Sequence, residues 1–276
     1  MVQVCQLKLL KKLMSNASIK KNFLNWFFKH EQGEGTTIGH VPWIFAGDES
    51  GAKTHESVER FACYSMVGIP YRFYQTFIKS LPTPNKDRFL VPQLAQVRSM
   101  LKACCGHGVV VYFDLQDPKV IKYADYWERK RKKSTLEKPG KVSDIIWVNS
   151  LAFSIIELVG KIVKAQLPIG ELFIEYDGWK MPKLMAELMK GRVPGQANLR
   201  LQEIFLGLKT KFPKANPTIS KLSAGKSRDP MIMAADVVAK ATFQALSNKQ
   251  IKEFQKENNP AILIRNLTDI LGHKFK

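Results

Sequence analysis

The stretch WIFAGDESGAK, residues 43–53, decides how the chain is read. Apolar residues from Trp43 to Ala46 make a strand-like run. That run meets two adjacent carboxylates, Asp48 and Glu49, and then a Ser-Gly pair that bends the chain. A second run, ERFACYSMVGI over 59–69, has aromatic and β-branched residues and no helical period, so it predicts a second strand. The segment between them is short enough for a hairpin-like connection.

Further strands follow from the same reasoning. VVVYFDL (109–115) is continuously apolar, which suits a strand buried on both faces. ELFIEYD (171–177) is a fourth strand candidate, and TISKLSA (218–224) a short strand or extended segment. Helical spacing predicts helices over 71–81, 91–105, a stripe at Val120, Tyr123, Ala124 and Trp127, and the apolar stretch 142–167. PKLMAELMKG and LRLQEIFLGLKTKF read as two more. Asp229 can cap a helix whose first position is Pro230 and which runs to about Leu246. A last helix is expected around Ala261 to Leu271. Strands mixed with helices predict an α/β layered domain.

Charge is the strongest global signal. Lys and Arg number 43 against 24 Asp and Glu, a formal net charge of +19. A field of that sign attracts polyanions, of which nucleic acid is the usual one. The excess gathers in the acid-free residues 1–30, in ERKRKKS (128–134) with Arg129, Lys130, Arg131, Lys132 and Lys133, and over 180–228. Each run alone is an ordinary solvated face. Together they predict a groove that tracks phosphates, with Lys221, Lys226 and Arg228 as candidate contacts. Residues 5–30 read as an amphipathic helical arm that packs on the domain, meets a partner protein or lies on a membrane surface. HEQGEGTTIGH (30–40) reads as a linker. No apolar run reaches the ~18 residues of a membrane helix. The N-terminus lacks a signal-peptide pattern, and the four cysteines show no paired metal spacing. These features predict a cytoplasmic protein with reduced thiols.

The acids stand out against that background. Asp48 and Asp177 each end an apolar strand and are followed at once by a turn. Ligands gather at strand ends in sheets flanked by helices. Strand alternation puts Glu175 on the same face as Asp177. Asp236 lies within an apolar helix, where a charge needs a partner or a metal. Each has a plainer reading. Asp48 and Asp177 suit turns, Asp236 suits an i,i+4 pair with Lys240, and Asp114 suits loop chemistry. Taken together, strand-end and helix carboxylates would form a hard oxygen site for Mg2+ or Mn2+. Paired ions of that kind serve phosphodiester cleavage.

The ordered motifs resemble a known family. GDESG (47–51), a strand ending in Asp177, and KSRDPMIMAADVVAKA (226–241) with Ala235-Asp236-Val237-Val238 follow one another as in the family catalogued as a domain of unknown function, number thirty-eight hundred. Met233-Ala234 stand where that family often carries Gln before the Ala-Asp pair. The resemblance covers about 43–246 and implies a ribonuclease H-like mixed β-sheet flanked by helices. It also implies that Asp48, Asp177 and Asp236 are metal ligands, with Glu49 or Glu175 as a fourth carboxylate. The expected organisation is a basic helical arm and linker (1–40), a ribonuclease H-like domain (41–250) with a basic helical insertion near 116–168, and a C-terminal helical extension (251–276). Two functions are consistent with this. One is a metal-dependent nuclease or nucleic-acid-processing enzyme. The other is a non-catalytic basic module that binds nucleic acid or a partner in a mobile-element or defence system.

Overall fold

The computed structural model describes residues 41–51, 60–80, 90–132, 142–177, 207–225 and 229–271. The expected arm over 1–40, the helix expected at PKLMAELMKG and the first part of that expected at LRLQEIFLGLKTKF lie outside the described residues; the end of the latter, 207–211, is helical.

The core is a six-stranded sheet. β1 (Trp43–Gly51) pairs antiparallel with β2 (Phe61–Pro70), and β2 with β3 (His107–Asp114). β4 (Glu171–Asp177) runs parallel to β1, and β5 (Thr218–Gly225) parallel to β4. β6 (Ile262–Asn266) runs parallel to β3 at the far edge. The spatial order is β5-β4-β1-β2-β3-β6. An antiparallel β1–β2–β3 meander extended from β1 by two parallel strands is the ribonuclease H-like arrangement, here widened by β6.

Helices follow from the connections that this order requires. β3 and β4 both run parallel to β1, so the chain must cross the sheet between them. It does so through α3 (Pro118–Lys132) and α4 (Val142–Lys164), helices numbered after α1 (Tyr74–Ser80) and α2 (Leu90–Ala103). Leu151, Ile155, Leu158, Val159 and Ile162 of α4 pack on Trp43, Phe45, Tyr64, Met66, Val111, Leu172 and Ile174. The stretch expected as an insertion therefore supplies the cover of one sheet face. The return from β5 to β6 crosses the other face through α5 (Pro230–Ser247) and α6 (Ile251–Asn258). There Met231, Ile232, Ala235 and Val238 meet Ala46, Cys63, Val67 and Val110, with Leu94, Val97 and Leu101 of α2 beside them.

α5 begins as its sequence predicts. Asp229 is the N-cap, accepting a hydrogen bond from the Met231 N–H at 2.8 Å, and Pro230 opens the first turn. The C-terminal segment corrects an expectation. Residues 262–266 form β6, and only Leu267–Leu271 are helical, as α7. The apolar run there is short, and its burial alternates through Ile262, Leu263 and Ile264. Periodicity cannot separate strand from helix over so few residues, and the open edge of β3 offers a partner.

Candidate active site

Strand alternation divides the acids of β1 between the two faces of the sheet. Ala46 packs against α5 while Phe45 packs against α4, so Asp48 belongs to the α5 face and Glu49 to the α4 face. β4 runs beside β1 in parallel register, with Ala46 opposite Glu175 and Gly47 opposite Tyr176. The next step along both strands sets Asp48 beside Asp177. Asp48 is 6% exposed, Asp177 5% and Glu49 8%.

Gly47 leaves room for the Tyr176 ring on the α4 face of the sheet. A Cβ there would lie 2.4 Å from the Tyr176 ring and 3.0 Å from Met66. At the strand's end Gly51 has φ +89, and an added Cβ would stand 2.6 Å from the Phe243 ring of α5.

The acids meet electrostatically at Asp48. Burial pushes its carboxyl up to about 8, and the charges of Asp236, Glu49 and Asp177 push the same way. The Glu49 N–H, donating to Asp48 Oδ1 at 2.7 Å, opposes them only in part. Asp236 comes from α5 and is partly exposed. Its Oδ2 accepts from Lys240 Nζ at 2.6 Å, the i,i+4 contact expected from sequence.

Glu49, Glu175 and Asp114 also have other neighbours. Glu49 acts on the buried phenols of Tyr64 and Tyr176, which burial first, and its charge second, hold above the usual range. Glu175 stands one pleat back from the strand end, opposite Ala46. Its charge acts on Tyr74, whose phenol is raised by burial, then by Asp229 and Glu175. Asp114 accepts from Arg60 Nε at 2.8 Å and from the Gln116 N–H at 2.9 Å, which is loop and ion-pair chemistry.

The basic candidates are located only in part. Arg129 is exposed on α3 and its Nε lies 3.3 Å from the Asp125 carbonyl. Lys130, Arg131 and Lys132 continue the α3 backbone and Lys221 lies in β5, but their side chains are outside the description. Lys133, Lys226 and Arg228 lie outside the described residues altogether.

Ser65 escaped sequence reasoning. It stands opposite Asp48 in the β1–β2 register and is fully buried. Its hydroxyl lies 2.7 Å from the Ala235 carbonyl of α5 and 3.1 Å from the Asp48 carbonyl. The signal available in sequence was a hydroxyl set within an apolar strand, which needs a partner when buried.

Carboxylates suit Mg2+ or Mn2+ in donor type. The raised Asp48 carboxyl is what buried like charges produce, and a divalent cation would relieve it. Among the described residues, no three His, Cys, Asp or Glu side chains stand at ligation spacing. No described helix is long and apolar enough to cross a membrane.

No protein-family model and no curated protein matches the chain. Solved structures similar to it include the PCNA:RNase HII complex from Archaeoglobus fulgidus, at 12% identity and TM-score 0.39 over 78% of this chain and 77% of that one. Ribonuclease H2 from Pyrococcus horikoshii OT3 aligns at 10% identity and TM-score 0.41, over 79% and 78% of the two chains. Bst-RNase HIII in complex with Mn2+ aligns at 11% identity and TM-score 0.39, with 79% of this chain spanning 56% of that one. The ribonuclease H-like assignment rests on the strand order and directions given above.

Proposed function

We propose that this protein is a divalent-metal-dependent nuclease that hydrolyses phosphodiester bonds, with Asp48, Asp177 and Asp236 holding Mg2+ or Mn2+. The observation that carries the reading is the convergence of like charges on the buried Asp48 carboxyl, within β1 and beside the end of the parallel strand β4. Such an arrangement costs stability in a protein that could have buried apolar residues instead. Acids kept there at that cost are candidates for chemistry.

A bound divalent cation supplies positive charge against the phosphodiester oxygens. The chain's own residues do the rest. Asp48 and Asp177, carried by neighbouring strands, would offer their carboxylates to the cation. Asp236 approaches from the helix above, with Lys240 beside it. Glu49 adds negative charge from the opposite face of β1, and Glu175 continues the acidic face behind Asp177. The net charge of +19 draws the polyanion in. Lys221, Lys226, Arg228 and the run Arg129 to Lys133 are the proposed phosphate contacts. On its motifs the chain resembles the domain-of-unknown-function family number thirty-eight hundred, and we propose the cytoplasm as its working compartment.

The test is cleavage of single- and double-stranded DNA and RNA with Mg2+ or Mn2+, by the wild type and by Asp48→Asn and Asp236→Asn. Metal-dependent cleavage lost in both variants supports the site, and cleavage that survives both rejects it. A second reading draws on the Asp236–Lys240 pair and on the acids' separation. In it the acids are structural, and the protein is a basic module for nucleic acid or a partner protein. Intact nucleic-acid binding without any Mn2+-dependent change in melting temperature would favour it.

A further inference from the structure

We propose that Ser65 is a positioning residue for the carboxylate site: its hydroxyl ties the strand that carries Asp48 to the helix that carries Asp236. This inference rests on the metal reading given above.

The geometry is particular to this serine. Its Oγ lies 2.7 Å from the carbonyl of Ala235, the residue before Asp236, and 3.1 Å from the carbonyl of Asp48 itself. One hydroxyl proton serves both acceptors, with the shorter contact going to the helix. Two other buried hydroxyls behave differently. Ser154 and Thr242 each lie 2.8 Å from the carbonyl four residues back in their own helices, and Ser154 meets the sheet, at the Tyr64 carbonyl, only at 3.4 Å. Such back-bonding satisfies a hydroxyl locally. Ser65 instead reaches across a layer boundary, from β2 to α5.

Packing does not call for a hydroxyl here. The neighbours on the same face of the sheet, Cys63 and Val67, are apolar and buried. A hydroxyl taken fully out of water needs its bonds made. Those bonds fall on the backbone at Asp48 and one residue before Asp236. Small residues at Ala234 and Ala235 let α5 come down far enough for the contact. The hydroxyl thus fixes how far α5 stands from β1 at Asp48, and with it the separation of two of the three acids. Both carbonyls belong to regular elements, so removing the hydroxyl leaves the helix and the strand intact.

The experiment is Mn2+ titration of the full chain, read by electron paramagnetic resonance, on wild type, Ser65→Ala, Ser65→Thr and Asp48→Asn, with metal-free melting curves for each. Ser65→Ala is expected to melt within about 4 °C of wild type. It is also expected to bind Mn2+ about tenfold more weakly, the usual loss when a supporting bond behind a ligand is removed. Ser65→Thr, which keeps the hydroxyl, is expected to recover most of that affinity. Cleavage by Ser65→Ala is expected to return towards the wild-type rate as Mn2+ is raised. Equal Mn2+ affinity in wild type and Ser65→Ala, with Asp48→Asn binding weakly, would overturn the role of Ser65 and leave the metal site standing. A wild type with no Mn2+ affinity, or one that Asp48→Asn fully retains, would overturn both.

Discussion

Asp48→Asn is expected to make the protein more stable while removing its metal affinity. The carboxyl is raised from 3.8 to about 8, first by burial and then by Asp236, Glu49 and Asp177. The folded chain therefore holds this proton more tightly than the unfolded chain does. Stability attributable to Asp48 is fully present below the unfolded value of 3.8 and is lost as pH rises towards about 8. At pH 7 about three pH units separate the solution from the unfolded value, each worth about 1.4 kcal/mol, so the loss is about 4 kcal/mol. Asparagine cannot ionise and escapes it. Its Oδ1 can still accept the Glu49 N–H that lies 2.7 Å away in the wild type. At about 2–4 °C per kcal/mol for a chain of this size, the variant gains about 10 °C in melting temperature at pH 7. The assay is thermal melting of both proteins with a chelator, from pH 4 to pH 8.5. The difference between them is expected to open with rising pH and to close on adding Mn2+, which stabilises only the wild type. A variant that melts at or below wild type across the range would refute the reasoning.

Gly47→Ala drives a methyl into the Tyr176 ring, 2.4 Å from its nearest carbons, and is expected to cost about 3 kcal/mol by the urea midpoint. Asp229→Ala removes the acceptor for the Met231 N–H at 2.8 Å and is expected to cost about 1 kcal/mol in the same measurement.

Much of the architecture was legible because apolar strands and turns punctuate each other clearly. The runs ending at Asp114 and Asp177 are strands that end there, whereas the strand expected to end in a turn at Asp48 stays paired with β2 to Gly51. Asp229 and Pro230 open α5 as capping chemistry requires. β6 was missed because its five residues carry no decisive period, and only the edge of β3 gives it a reason to extend. Asp48 proves to lie within β1, because Glu49, Ser50 and Gly51 continue the pairing with β2, while the placement of Asp177 at a strand end could be read locally. That their strands are neighbours could not, since it depends on the crossover through α3 and α4. The strand period did contain one fact that the DESG motif obscures. Consecutive residues of a strand face opposite ways, so Asp48 and Glu49 stand on different sides of the sheet. Ser65 was invisible for a related reason, because its partners lie on β1 and α5, and the β2 sequence names neither.

The most direct measurement is the anomalous scattering of Mn2+ soaked into crystals of the full chain. A peak bounded by the carboxylates of Asp48, Asp177 and Asp236 is expected, absent from crystals of Asp48→Asn. Saturating Mn2+ with no density there, or density bound only to other acids, would contradict it.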